Sequence, residues 1–133
     1  DDKQILTDWN TQMIDTSDIH IKHFPEYMQV KIEGTYYCSE FFKLVDVITQ
    51  AAIDNQHKFM LVDINSISRT MSITDKYFFG TTAAKEWAGK ITIAIVADAD
   101  NFLESVMVNR GTIASVHSSR KDAARWLKLL INA

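Results

Sequence analysis

Cysteine, proline and glycine are all scarce in this 133-residue chain, and each scarcity excludes a class of protein. The single cysteine excludes an internal disulfide and a cysteine-rich metal site. One proline and four glycines disfavour a turn-rich all-β domain and a flexible linker. What remains is a chain of ordinary apolar content, long enough for one domain with a sizeable core and without an internal repeat.

Strong positive charge and long apolar runs are also absent. The net charge of −3 provides no basic surface for nucleic acid, so no nucleic-acid partner is predicted. The longest apolar run, residues 91–97, is interrupted by Thr92 and is far shorter than the roughly 18 residues of a membrane span. Together with the lone cysteine, these features lead us to expect a cytoplasmic protein without a transmembrane segment.

Alternation of apolar and polar residues predicts a hairpin near the amino end. The alternation covers residues 19–24 and 28–33, with a break at Pro25 and an end at Gly34. Such runs are typical of strands that have one face in the core and one in water. Residues 1–17 carry no such pattern. We therefore divide the chain into an N-terminal extension, residues 1–17, and a domain of residues 18–133.

Helical periodicity and apolar strand-like runs alternate through the rest of the chain. Helical spacing covers residues 41–55, 72–88, 101–110 and 119–131, and the strand-like runs cover 59–64, 91–97 and 112–117. Ser72 with Asp75, and Ser119 with Asp122, have the spacing of helix N-caps. The order ββαβαβαβα predicts an α/β fold: a single mixed, mostly parallel sheet with an antiparallel N-terminal hairpin strand and about four helices.

Three further predictions concern the ends and faces of these elements. Ser39 is expected to cap the first helix. Residues 65–70 are expected to form a polar loop after the central strand. Tyr77, with Thr81 and Ala84, is expected on the apolar face of the second helix.

Hydroxyl side chains gather where the central strand is expected to end, which is where ligand sites of open α/β sheets lie. The predicted partner or ligand surface consists of Asp63, Asn65, Ser66, Ser68, Ser72, Tyr77 and Phe78. Ser72 is also the candidate phosphorylation site, because a phosphate at a helix start interacts favourably with the helix dipole. Helix capping alone is the alternative role for Ser72.

Residue spacings that catalysis or metal binding requires are not found in the sequence. The four histidines, at positions 20, 23, 57 and 117, have no cysteine or carboxylate at ligand spacing, so no metal site is predicted. Glycine-rich phosphate loops and the Gly-x-Ser-x-Gly turn are absent, and no cofactor is predicted. An enzyme is the least favoured hypothesis and would have to assemble Asp63, Asp98 or Cys38 into one site.

Several short motifs resemble those of a known family. They are Val30–Gly34, Leu61–Asp63, Ile93–Val96, Glu104 with Asn109–Gly111, and Ser118 followed by Ala123, Trp126 and Leu127. Over residues 19–131 the chain resembles the STAS-like family, small α/β modules similar to anti-sigma-factor antagonists. Its stand-alone bacterial members are also compared with CRAL-TRIO-type lipid-transfer domains.

The resemblance implies a non-catalytic regulatory module that engages a protein partner. In the antagonist branch a phosphorylatable serine, usually preceded by aspartate, begins the helix after the central strand. Ser72 occupies that place here, with Met71 before it. The lipid-transfer comparison implies an alternative, a small-molecule or lipid carrier whose apolar pocket would be lined by Phe78, Phe79 and Met107. A homodimer is a further expectation.

Overall fold

The computed structural model describes residues 18–34, 40–67, 72–97 and 101–133, which form one five-stranded sheet and four helices. The strands are β1 (Ile19–His23), β2 (Met28–Gly34), β3 (Phe59–Ile67), β4 (Thr92–Val96) and β5 (Ala114–His117). The helices are α1 (Phe41–Asp54), α2 (Ile73–Trp87), α3 (Asn101–Val108) and α4 (Arg120–Ile131). The strand order is β1-β2-β3-β4-β5; β1 is antiparallel to β2 and the other pairs are parallel. The predicted fold class is confirmed.

Apolar side chains fill both faces of the sheet, but unequally. Alternate residues of the central strands, such as Val62 and Ile95, pack in one cluster with α1, α2 and α3. Their neighbours Leu61 and Ala94 pack on the opposite face in a smaller cluster with α4. Because successive residues of a strand point to opposite faces, a continuous apolar run serves both layers. The sheet is therefore covered by three helices on one face and by α4 on the other.

The N-terminal hairpin has the wet face that its alternation predicts. Val30 and Ile32 are fully buried on the three-helix face, and Ile21 packs against the same cluster. On the other face His20 and Lys22 are exposed. This half of the sheet lies beside α4, whose core residues pack with those of β3 and β4.

The end of β3 differs from the predicted loop. Ser66 pairs with Glu33 and Ile67 with Gly34, so the strand continues three residues beyond Ile64. Pairing with β2 and burial of the Ile67 side chain outweigh the low strand propensity of the polar residues between them. The register shifts within this stretch, because three steps along β3 match two along β2. Such a bulge cannot be recognised from local composition.

The helix starts are partly as predicted. Ser72 and Ser119 are the N-caps of α2 and α4, and each side chain accepts a hydrogen bond from the N–H three residues later. The N-cap of α1 is Glu40, not Ser39, and it makes no side-chain cap hydrogen bond. Ser39 itself lies outside the described residues.

The buried face of α2 differs from the predicted one by about one residue. Its inner residues include Phe79, Ala83 and Trp87, whereas Tyr77 is 44% exposed. The central helix of a three-helix layer contacts the sheet below and a helix on each side. It therefore buries a wide arc, whose position depends on the neighbouring helices rather than on the helix's own period.

Candidate functional site: the outer face of α2

A reciprocal cap fixes the start of α2. The Ser72 Oγ accepts a hydrogen bond from the Asp75 backbone N–H at 3.0 Å, and the Asp75 Oδ2 accepts one from the Ser72 N–H at 3.2 Å. These bonds use N–H groups that have no partner within the helix. The Asp75 side chain is buried, and Ser72 stands exposed at the surface. The serine is therefore accessible as well as structurally engaged.

Three large apolar side chains are exposed in the first two turns of α2. Ile73 is 70% exposed, Tyr77 44% and Phe78 46%. Ile73 and Tyr77 lie four residues apart and so form one row along the helix, and the Tyr77 and Phe78 rings meet edge to face at 6.2 Å. We call Ser72, Ile73, Tyr77 and Phe78 the α2 surface. It presents adjacent apolar side chains next to an accessible hydroxyl.

An arginine from the end of α3 borders the α2 surface. The Arg110 guanidinium lies 5.3 Å from the centre of the Tyr77 ring, within the range of a cation–π contact. Its Nη1 donates to the Val106 carbonyl at 3.2 Å, and its Nη2 lies 3.4 Å from the Tyr77 hydroxyl. Two anchored contacts hold the cation beside the aromatic ring. Tyrosine and arginine are among the residues enriched in protein interfaces.

Asp63, the first member of the predicted surface, has a structural role on the opposite face of the sheet. Its Oδ1 accepts a hydrogen bond from the Asn65 N–H at 2.9 Å, and its Oδ2 accepts one from the Arg120 Nε at 2.7 Å. The side chain is only 8% exposed, because the first residue of α4 covers it. The carboxylate thus binds a backbone N–H at the β3 bulge and joins β3 to α4.

The predicted surface is therefore divided between two parts of the molecule. Asp63 lies beneath α4, and the exposed Asn65 and Ser66 follow it on β3. Ser72, Tyr77 and Phe78 lie together on α2, while Ser68 is outside the described residues.

One member of the α2 surface, Ile73, and its neighbour Arg110 were not among the predicted site residues. Ile73 directly follows the Ser72 cap and precedes Tyr77 by one helical turn, so helix periodicity was the signal that identifies it. Arg110 lies 33 residues from Tyr77, and no local signal connects the two.

Two of the four histidines pair with each other, and a third contacts a carboxylate. The His23 Nδ1 and His57 Nε2 are 2.9 Å apart with ring planes within 6° of each other. Their centroid separation of 5.2 Å is close to that N···N distance plus two ring radii, so the rings meet edge to edge in one plane and share a hydrogen bond. His20 contacts Glu33 at 3.1 Å. Within the described ranges, no three His, Cys, Asp or Glu residues are grouped closely enough to hold a metal ion.

The residues expected to line an apolar pocket do not surround a common cavity. Phe79 and Met107 are fully buried in the three-helix core, and Phe79 packs edge to face on Trp87. Phe78 points outward instead. Adjacent residues of a helix point about 100° apart, so Phe78 and Phe79 cannot share one lining.

Comparison with known proteins gives a fold and no family model. No protein-family model matches the chain, and neither does any curated protein. An anti-sigma factor antagonist from Mycobacterium paratuberculosis matches with a TM-score of 0.56 and 9% identity, over 83% of this chain and 92% of that one. The anti-sigma factor antagonist SpoIIAA in its unphosphorylated form matches with a TM-score of 0.53 and 8% identity, over 83% and 97%.

A further structure is an uncharacterised Shewanella loihica protein with a SpoIIAA-like fold. It matches with a TM-score of 0.48 and 17% identity, over 82% of this chain and 91% of that one. The two antagonist structures show that this chain has the STAS-like fold that its motifs predict. None of the four described helices has the length and apolarity of a bilayer-spanning segment.

Proposed function

We propose that this chain is a non-catalytic regulatory module that binds a protein partner through the α2 surface. The observation that carries the proposal is the exposure of Ile73, Tyr77 and Phe78 as one group on the central helix. Single exposed apolar residues are ordinary, but adjacent aromatic ones flanked by arginine are typical of the centres of protein interfaces. The fold supports the regulatory class, because the two antagonists named above share it.

The α2 surface is suited to contact with a protein rather than to chemistry. Of its two hydroxyls, that of Ser72 accepts a hydrogen bond at a helix cap and that of Tyr77 lies 3.4 Å from the Arg110 Nη2. The nearest carboxylate, on Asp75, is buried and bonded to the Ser72 N–H. A nucleophile needs a neighbouring base with room for a substrate. The apolar side chains, in contrast, would lose exposed area directly when a partner covers them.

We propose further that phosphorylation of Ser72 controls this contact. A phosphate on the exposed Oγ would meet the positive end of the α2 dipole, which favours it, and the Asp75 carboxylate, which repels it. It would also place about two negative charges beside Ile73, at the edge of an apolar interface. The expected result is release of the partner, because those charges would have to be desolvated on binding.

Site-specific photo-crosslinking in the cells from which the gene comes tests the proposal. Phe78 is replaced by benzoylphenylalanine in one variant, and Ile113, which is 60% exposed ahead of β5, is replaced in the matched control. We expect a discrete crosslinked protein at position 78 and none at position 113. The crosslinked protein is identified by mass spectrometry and purified for binding measurements.

Binding by variants then separates the two parts of the proposal. Phe78→Ser should weaken binding by roughly tenfold or more, the loss expected of an interface anchor, and Ile113→Ser should not. Ser72→Glu should weaken binding, whereas Ser72→Ala should preserve it and lower the free energy of unfolding by ~1 kcal/mol through loss of the cap. Unchanged affinity of folded Phe78→Ser would exclude the α2 surface as the binding site. Equal effects of Ser72→Glu and Ser72→Ala would exclude only the phosphorylation control.

A further inference from the structure

The outer faces of α1 and α4 are complementary in charge and cannot meet within one molecule. We propose that this chain assembles head to tail, with the outer face of α1 of one copy seated on the outer face of α4 of the next. The α1 face consists of Phe42, Asp46, Gln50, Ile53 and Asp54. The α4 face consists of Lys121, Ala124, Arg125, Lys128, Leu129 and Asn132.

The α4 face carries uncompensated positive charge. The helix holds four basic residues and one acidic residue in a chain whose net charge is −3. Arg120 is bonded to Asp63, and Arg125 lies 3.8 Å from Asp122. Lys121 and Lys128 make no ion pair with another described residue. Because the protein as a whole is acidic, this basic surface is attracted to the negatively charged surface of a second copy.

The α4 face also has the shape that receives a helix. Lys121, Arg125 and Leu129 form one row at four-residue spacing, and Ala124, Lys128 and Asn132 form the next, with a shallow groove lined by both. Rows of this kind define the grooves into which a second helix packs. Ala124 is small enough for close approach. Leu129, which is 68% exposed, provides an apolar contact within the positive charge.

The α1 face supplies the matching row. Phe42, Asp46, Gln50 and Asp54 are spaced by four residues and so form one ridge, which Ile53 extends. Phe42 is 59% exposed and Ile53 55%, which is unusual for large apolar residues on a helix of this amphipathicity. Asp46 and Asp54 add negative charge, and the Gln50 Nε2 donates to the Asp54 Oδ1 at 2.8 Å.

Symmetry decides the form of the assembly. Two α4 faces would bring like charges together, as would two α1 faces, so a two-fold contact through either is disfavoured. Because α1 and α4 lie on opposite faces of the sheet, the acidic α1 face and the basic α4 face of each copy point away from each other. Such a heterologous contact extends into a chain or closes into a ring. It uses none of the four residues of the α2 surface, so it does not rest on the proposed function.

The experiment uses two variants of the full chain that interrupt opposite faces. Variant one carries Asp46→Lys and Asp54→Lys; variant two carries Lys121→Glu and Lys128→Glu. Mass is measured by light scattering and analytical ultracentrifugation up to about 1 mM protein. The wild-type chain should form oligomers that dissociate as salt is raised to about 0.5 M, because exposed charges are then screened. Each variant alone should be monomeric, with circular dichroism to confirm folding.

Mixing the variants distinguishes this assembly from every other. In an equimolar mixture the unchanged α1 face of variant two matches the unchanged α4 face of variant one, and the two reversed faces match each other, so oligomers in which the variants alternate should form. A chain that carries all four substitutions should recover self-association, because both charges are reversed together. A monomeric wild type at low salt, a self-associating single variant, or a mixture that stays monomeric would each overturn the proposal.

Discussion

Removal of the Thr49 hydroxyl is expected to destabilise the protein by leaving a buried indole N–H without an acceptor. The Trp87 Nε1 donates to the Thr49 Oγ1 at 2.6 Å, and the Thr49 hydroxyl donates in turn to the Val45 carbonyl at 2.6 Å. Trp87 is fully buried and Thr49 is 5% exposed, so water cannot replace the lost partner. This pair joins α1 to α2.

The size of the effect follows from which groups lose a partner. Thr49→Val keeps the shape of the side chain, and the Val45 carbonyl keeps its α-helical hydrogen bond. The indole N–H of Trp87, in contrast, is left without an acceptor. A buried donor left without an acceptor costs about 1–3 kcal/mol, and we expect the free energy of unfolding to fall by that amount.

A double-mutant cycle isolates the hydrogen bond. In the Trp87→Phe background the N–H is absent, so a further Thr49→Val change should be nearly neutral, because both polar partners are then replaced. Unfolding in urea is followed by circular dichroism, with an unchanged m-value as the test of two-state behaviour. Thr81→Val is the control: its hydroxyl donates to the Phe78 carbonyl at 3.2 Å near the surface, so a change within about 0.5 kcal/mol is expected. Equal costs of Thr49→Val in the two backgrounds would refute the reasoning.

Two further predictions concern packing and pH. Gly80→Ala places a Cβ 2.7 Å from the Val106 Cγ1, and the stiff valine side chain cannot move away. The overpacking should cost roughly 1–3 kcal/mol, more than the gain of about 1 kcal/mol in helix propensity, so the free energy of unfolding should fall. Adding Val106→Ala to the Gly80→Ala variant should reverse this fall, as measured by unfolding in urea. Burial, and then the charge of His23, lower the pKa of His57 below its ordinary value of 6.5. As the pH falls, the unfolded chain therefore binds a proton at His57 before the folded chain does. The free energy of unfolding should decrease from about pH 6.5 down to the lowered pKa that His57 has in the folded chain. The measurement is the melting temperature as a function of pH, which should fall less steeply in His57→Gln than in the wild type. An equally small fall in both proteins would contradict the prediction.

Short-range patterns predicted most of the fold because the physics that forms the elements is local. The alternation that ends at Pro25 and Gly34 marks two strands, since a pleated strand repeats every second residue. Ser72 and Ser119 mark helix starts, since a cap needs only the N–H group three residues away. The pattern of elements then leaves few topologies open, because connections of helix length join parallel strands.

The candidate site was only partly predictable for the opposite reason. Whether Tyr77 lies in the core or at the surface depends on where α1 and α3 pack, and its neighbour Arg110 is 33 residues away. Asp63 was expected at the surface, as a hydrophilic residue at a strand end. It is instead buried beneath Arg120, a residue 57 positions along the chain that reaches it because α4 crosses the opposite face of the sheet.

By itself the sequence determined the order of strands and helices, their approximate ends and the mixed, mostly parallel sheet. Period and capping act within one turn of a helix or a few residues of a strand, so they can be read along the chain. The tertiary structure alone decided which side chains remain at the surface: the group Ile73, Tyr77 and Phe78, and the opposed charges of α1 and α4. Exposure is what remains after distant elements have packed together, and no local pattern contains that information.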